Sequence, residues 1–479
     1  MVFPPRLKYL TIMKTKHIFL FTLLALASAG TVFADLRYGD LQSGNLRAGA
    51  NPQVLTVDSA VQIALENNLS LRRMALNTAA MKRAADRSWN SLLPTVSAGA
   101  MVSRPTSITG EIFPLQAMGP DGRVIDRNVW TPGFSFSTQV TFSTAVIENI
   151  RRAEADYAAG LLSYEAARQE LELNVRRLFY HILLLDANRE LAAQNFASAQ
   201  ARYEQSAALA RAGQVPHLDE FSARVDMENM RPAVRNAEII YENALDSFKA
   251  ILGLPSDTVI RLEGSLGVTL NGGFSGIHDP PRGNRAIGEC LETARLRKSI
   301  QSMEAQRNAI RNSAYVPSLR LAWNSTPLYN IQNNFWTDNG SFSITLGLNI
   351  DNFLPWSVSR TQMDALNDQI QSTHIQLADS LRSRENRVNQ NMRTIGRILE
   401  SLEATKLNIE LAQTTYDMFG EAYRGGAVDY QRLRSARDGL EQAKNRLLQE
   451  QFNLISATLD LERELNIPFG TIIYGAPAI

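Results

Sequence analysis

In the stretch Phe134-Ser135-Phe136-Ser137-Thr138-Gln139-Val140-Thr141-Phe142, the apolar Phe134, Phe136, Val140 and Phe142 alternate with the polar Ser135, Ser137, Gln139 and Thr141. Period two over such a run reads as a strand with one apolar and one wet face. Directly after it, Thr144 to Ala210 gives 67 residues with one glycine and no proline. If helical, that segment extends about 100 Å at 1.5 Å per residue. No ordinary globular core accommodates such a helix, so the strand belongs to a molecule with long coiled segments.

Working outward, the same order occurs twice. Arg211-Ala212-Gly213-Gln214-Val215 parallels Arg424-Gly425-Gly426-Ala427-Val428, Ser222-Ala223-Arg224 parallels Ser435-Ala436-Arg437, and Pro255 parallels Pro468, all at an offset of 213 residues. Leu93-Pro94-Thr95-Val96 answers Val316-Pro317-Ser318-Leu319 at an offset of 223 residues. Internal self-similarity of this kind indicates a repeated unit. Each unit reads as helix, strand, strand, helix, helix.

In the first unit Thr56 is a candidate N-cap for an alanine-rich helix running to about Leu92, and in the second the stretch from Ala286 to Ser313 plays that part. Pro94 and Pro317 end them. The strands that follow place Val96, Ala98, Ala100 and Val102 on one face, and Leu319, Leu321 and Trp323 on one face. A further run alternates Phe342, Ile344, Leu346, Leu348 and Ile350 with serine, threonine, glycine and asparagine. These lengths approach the roughly 9–11 residues of a tilted strand crossing a bilayer. Trp130, Trp323, Trp336 and Trp356 flank the strands as interfacial aromatic residues do.

The long helices carry heptad-like seams. Ile395, Ile398, Leu402, Thr405, Ile409 and Ala412 follow a 3,4 spacing that continues through Tyr416, Phe419 and Tyr423. In the first unit Leu171, Val175, Leu178, Ile182 and Leu185 do the same before Arg189 interrupts. After Gly213 or Gly426 the chain is expected to return as a helix of about 35 residues, ending at Leu252 or Leu465. Pro232 sits inside the first return helix and predicts a kink.

At the N-terminus Lys14 and Lys16 precede the apolar run Ile18 to Ala29 and the small-residue ending Val32-Phe33-Ala34. This predicts a secretory signal at 1–34, with Met13 the natural start and Asp35 near the mature N-terminus. A first repeat at 35–263, a Gly- and Pro-rich linker at 264–284 and a second repeat at 285–479 complete the predicted organisation. Beyond the signal no apolar stretch reaches the roughly 20 residues of a spanning helix. Mean hydropathy is −0.18, a value that is blind to any β-barrel.

Cys290 is the single cysteine, so neither an intrachain disulfide nor a cysteine zinc cluster is available, and a buried small residue is expected there. Forty-nine basic against 48 acidic residues leave a net charge of +1, which gives no field for nucleic acid. No Gly-x-x-x-x-Gly-Lys, Gly-x-Ser-x-Gly or His-Glu-x-x-His occurs, and His181, His217, His278 and His374 are scattered. The expectation is a non-enzyme without cofactor or metal.

Four strands cannot close a barrel, and an open edge in lipid leaves backbone groups unpaired, so closure has to come from other chains. The strands run end to end into the helices, which implies a barrel continued by a helical tube. The opening helix Ala64-Leu65-Glu66-Asn67-Asn68, the helix-ending Leu93-Pro94, the Gly213 and Gly426 turns and Leu252-Gly253-Leu254-Pro255 resemble those of the TolC-like outer membrane efflux proteins, in this order over the mature chain.

That resemblance implies a mixed, mainly α fold: a homotrimer with one twelve-stranded transmembrane β-barrel, four strands per chain, continuing into a periplasmic α-helical coiled-coil barrel. It implies a periplasmic adaptor, an inner-membrane pump and outer-membrane lipid as partners, and passive exit of small molecules. Protein secretion by the type I route is the alternative within this class. A periplasmic coiled-coil protein with a soluble sheet is the alternative outside it.

By the same resemblance, Arg211, Ala212, Gly213, Gln214 and Val215, with Arg424, Gly425, Gly426, Ala427 and Val428, become the adaptor-contact tips. The constriction falls at Asp219, Gln431, Arg432 and Arg434. Relatives often carry an acidic pair on the second return helix; here Gln431, Arg432 and Arg434 stand in that place, which puts cation selectivity in question.

Overall fold

A computed structural model describes residues 53–103, 130–267, 290–330, 335–338 and 340–474. The predicted signal 1–34, most of the predicted linker and His278 lie outside them. The chain divides into a main unit, Val54–Ser256 with Arg261–Ile479, and a small one, Met1–Gln53 with Asp257–Ile260. The large sheet and all the long helices belong to the main unit.

After a short strand β1 (Gln53–Leu55) come helices α1 (Val57–Asn67) and α2 (Leu69–Asp86) and a 3₁₀ turn, Ser88–Leu92. Thr56 caps α1 in a reciprocal box with Ser59, as its sequence suggested. The expected single run to Leu92 is instead broken at Asn68. Its side-chain oxygen accepts from the Ser70 and Leu71 amides, starting a second helix, while its amide donates 3.1 Å to the Ile251 carbonyl. A residue that caps one helix and holds another element breaks the run more effectively than alanine propensity sustains it.

Strands β2 (Thr95–Ser103) and β3 (Thr131–Phe142) lead into α3 (Thr144–Arg211), which turns into α4 (His217–Leu252). A short strand β4 (Ile260–Leu262) follows. In the second half α5 (Leu291–Tyr315) precedes β5 (Ser318–Ser325), β6 (Leu328–Asn330), β7 (Phe335–Thr337) and β8 (Ser341–Gly347). Then come α6 (Val358–Arg424), α7 (Tyr430–Leu465) and the single turn α8 (Thr471–Tyr474). Helix α4 is continuous through Pro232.

Strand β8 stops at Gly347 rather than continuing through Leu348 and Ile350, which enter a 3₁₀ turn, Ile350–Phe353. The buried Asn352 explains the change. Its amide donates 3.4 Å to the Ala314 carbonyl and its oxygen accepts from Ser359 at 2.8 Å, tying this turn to the end of α5 and the start of α6.

The sheet is antiparallel and its six strands occupy four rows. Strand β2 pairs with β3 along its length, β3 pairs with β5, and β5 pairs with β8. β6 and β7 pair with each other and extend the third and fourth rows, with Gly133 of β3 opposite Leu328. Within the chain the outer edges of β2 and β8 have no strand partner among the described residues.

The helices continue the same four rows. Helix α2 and then α4 lie beside α3, α5 and then α7 lie on its other side, and α6 packs outside α5 and α7. The α6–α7 core is built from Val388, Ile395 and Ile398 against Leu454 and Leu461. Arg189, which interrupts the α3 seam, pairs with Asp186 and lies 4.8 Å over the Tyr241 ring of α4. Arg384, buried on α6, donates to the Glu464 carbonyl at 2.8 and 2.5 Å, so a cation satisfies the C-terminal end of α7.

Candidate functional site

Sheet register decides what each face presents. Opposed residues share a face, and the pairs Ala98–Phe136, Ala100–Phe134, Val140–Leu321, Phe142–Leu319, Leu319–Leu346 and Leu321–Ile344 run across all four rows. One surface is therefore apolar from edge to edge. It is also exposed: 76% for Val96, 65% for Ile344 and 73% for Leu346. The opposite surface carries Ser97 paired with Ser137 through a 2.6 Å hydroxyl contact, Thr141 opposite Arg320, and Asn324 opposite Ser341. Exposed Trp130 and Trp336 lie toward the end remote from the helices, Trp336 stacking on Phe134 at 5.6 Å, while exposed Trp89 and Trp356 lie at the helical end. Trp89 escaped the sequence reading because it precedes the strand in a segment read as helix.

At the opposite end of the helices, the two turns are alike. Gly213 and Gly426 adopt φ of 70° and 72°. The Gly213 and Gln214 amides donate to the Ala210 and Leu209 carbonyls; those of Gly426 and Ala427 donate to Tyr423 and Ala422. This left-handed closure satisfies the last helical carbonyls and favours glycine. Arg211, Ala212, Gly213, Gln214, Arg424, Gly425, Gly426 and Ala427 are exposed, with Val215 and Val428 half-buried.

Just beyond the turns, the hairpins are tied together by a buried network that sequence reasoning missed. Asp226 of α4, its side chain 2% exposed, accepts from the Tyr430 hydroxyl at 2.9 Å and pairs with Arg434 at 3.1 Å. Arg437 lies 3.8 Å from the same carboxylate and bonds Asp438 at 2.6 Å. Burial, then the Asp226 charge and hydrogen bond, pushes the Tyr430 hydroxyl far above the ordinary tyrosine range. Burial works against the Arg437 charge, but Asp438, Glu441 and Asp226 outweigh it and hold the guanidinium charged. Ser206 meets Tyr423 at 3.2 Å and Arg202 donates to Tyr416 at 2.7 Å, adding links from α3 to α6.

The predicted constriction residues therefore separate. Arg434 is engaged with Asp226, whereas Gln431 and Arg432 are exposed. Asp219 bonds Tyr423 and feels Asp429, the N-cap of α7; burial first, and then that neighbouring carboxylate, raises its pKa. Asp219 and Asp429, one carboxylate from each hairpin, thus lie close enough to repel.

Cys290 is half-buried at the N-cap of α5, less enclosed than expected, with Sγ 3.6 Å from the Thr293 hydroxyl. His181 packs its ring edge-on to Phe452 at 5.4 Å, and burial lowers its pKa.

The chain thus combines an amphipathic four-row sheet with long helices that continue its rows. Residues 60–254 match the family model described as outer membrane efflux protein. No curated protein matches the chain by sequence.

Solved structures with the same fold include the outer membrane protein VceC of Vibrio cholerae, at 14% identity and a TM-score of 0.71, covering 86% of this chain and 96% of that one. The MtrE outer membrane channel of Neisseria gonorrhoeae, in its open state, aligns at 17% identity with a TM-score of 0.67, covering 86% and 89%. The CmeC outer membrane channel of Campylobacter jejuni gives 16%, 0.66, 88% and 87%. Over residues 60–254 the sequence is similar to the outer membrane efflux proteins, and the described chain shares its fold with these solved outer membrane proteins.

Proposed function

We propose that this chain is one protomer of a trimeric outer-membrane duct giving passive exit from the periplasm in a tripartite export system, with small-molecule efflux as its service. The observation that carries the reading is the four-row sheet, apolar and exposed on one surface, polar on the other, and unpaired at both edges among the described residues. A soluble sheet would cover that surface; a lipid-facing barrel wall leaves it bare. Joining β2 of one copy to β8 of the next removes the edges, and three copies of four rows give twelve strands.

The hairpins read as two copies of one unit, 35–263 and 285–479. In support, their helices have 68 and 36 residues in one and 67 and 36 in the other, and Gly253 and Asn466 close both return helices in the left-handed region. The tips at Arg211–Val215 and Arg424–Val428 face a periplasmic adaptor, which couples the duct to an inner-membrane pump. Asp219, Gln431 and Arg432 line the constriction. The Asp226 network holds the two hairpins together there, so opening has to break it.

Membrane fractionation and planar-bilayer recording test this. The protein is expected in the outer membrane after export and, once purified, as a conducting trimer. Recovery from the periplasm without detergent would sink the channel reading.

A further inference from the structure

We propose that copies of this chain recognise one another by charge, the basic outer stripe of α2 seating against the acidic outer stripe of α6 of a second copy. This rests on the ring-forming reading above. Leu71, buried, and Met81, packed on Gly160, mark the face that α2 turns toward α3. On the opposite face, at helical spacing, stand Leu69, Arg73, Leu76 and Arg83, all exposed, with Arg72 alongside and the exposed C-cap Arg87 just beyond the last turn. On α6, Leu366, Ile370 and Thr373 are buried, and the opposite face presents Asp364, Asp368, Ile375 and Asp379, with Glu385 alongside.

Several charges elsewhere are consumed locally, as Arg151 with Glu148, Arg189 with Asp186 and Arg434 with Asp226, while others stand unpaired without forming a one-sign stripe. Among the described residues none of these α2 arginines or α6 acids has an ion-pair partner within 4.0 Å. Two unpaired stripes of opposite sign therefore occupy the two free flanks of one chain.

Their heights agree. Met81 lies against Gly160, Asp156 bonds Ser302, and Arg307 donates to Asn367, which fixes the rungs from the first row to the fourth. Across these rungs Arg73 stands level with Glu385 and Arg87 within a turn of Asp368, while Arg83 lies within two turns of Asp379. Arg382, the one basic residue of the α6 stripe between Asp364 and Asp379 and Glu385, falls level with Leu76 rather than with an arginine. The two helices run in opposite directions, and a cyclic ring introduces no axial shift between copies.

Toward the tips the same flanks offer Phe221 and Val225 on α4 and Leu411 and Met418 on α6, all exposed. Apolar surface of that kind tolerates sliding, whereas matched charges set register and reject wrong partners. The rotation that pairs β2 with β8 is the one that brings α2 to α6, so a second copy is the occupant.

The test uses the full chain in detergent at about 0.15 M salt, where screening still leaves close charge pairs effective, with mass read by light scattering and helix content by circular dichroism. Reversing Arg73, Arg83 and Arg87 to Glu, or Asp368, Asp379 and Glu385 to Arg, is expected to weaken trimers at least tenfold; combining both sets is expected to restore them. As an independent readout, Ala80→Cys with Ile375→Cys is expected to crosslink between chains on oxidation. Triple variants that assemble like the wild type, or a combined variant that keeps its helices yet stays monomeric, would overturn the proposal. Loss of binding to phosphatidylglycerol vesicles with assembly intact would overturn it in favour of a lipid-facing stripe. A monomeric wild type would instead overturn the ring itself.

Discussion

Asp226 is a carboxylate at a core position of a coiled helix, tolerable only because a hydroxyl and two guanidiniums meet it. Replacing it by Asn removes the one buried anion that Arg434 and Arg437 share and leaves them Asp438 and Glu441. Breaking a buried pair from one side costs roughly 3–5 kcal/mol, and the partial exposure of Arg434 places this site at or below the lower end. Asp226→Asn is expected to lengthen open dwell times in bilayer recordings while trimer mass is unchanged.

Asp219 acts with the opposite sign. Its raised pKa means that the packed tip holds a proton more tightly than the unfolded chain does, so the carboxylate leaves the packing undisturbed at low pH and weakens it as pH rises through the raised value. Asp219→Asn should therefore steady the packed tip at neutral pH and change nothing in acid, a difference readable as a flattened pH dependence of thermal stability. Arg432→Asp, at an exposed position, should shift reversal potentials toward cation preference; an unmoved potential removes Arg432 from the constriction. Tyr430 and Asp226 lie 204 residues apart, so nothing local in the sequence announced their contact.

Elements were more legible. Period-two alternation identified β2, β3, β5 and β8, because a side chain's face in a strand follows from its number alone. The same periodicity gives a sharp contrast between neighbours. Ile344→Arg puts a charge on the bare apolar surface, at a cost of roughly 2–4 kcal/mol if it sits near the bilayer midplane, whereas Ser343→Arg faces the polar side. The first is expected to reduce recovery of the protein in the outer-membrane fraction and the second to leave it. What the pattern did not show was where elements stop. The break at Asn68 and the early end of β8 depend on Ile251 and Ala314, carbonyls brought near by other parts of the chain.

For the whole molecule, every row that begins as a strand continues as a helix, and both flanks of the main unit are unfinished. Among the described residues, sheet edges and helix faces remain bare on the same two sides. The proposed ring would cover both with one rotation.

The sequence alone determined the order of strands and long helices, the glycine turns and the amphipathic faces, because periodicity and backbone sterics are local properties. Only the tertiary structure decided that Arg434 is spent on Asp226 while Arg432 stands free of that network, that Asp219 is joined by Asp429, and that the α2 and α6 stripes share a height. Those outcomes turn on which distant side chains meet, and charge pairing depends on distance in space rather than along the chain.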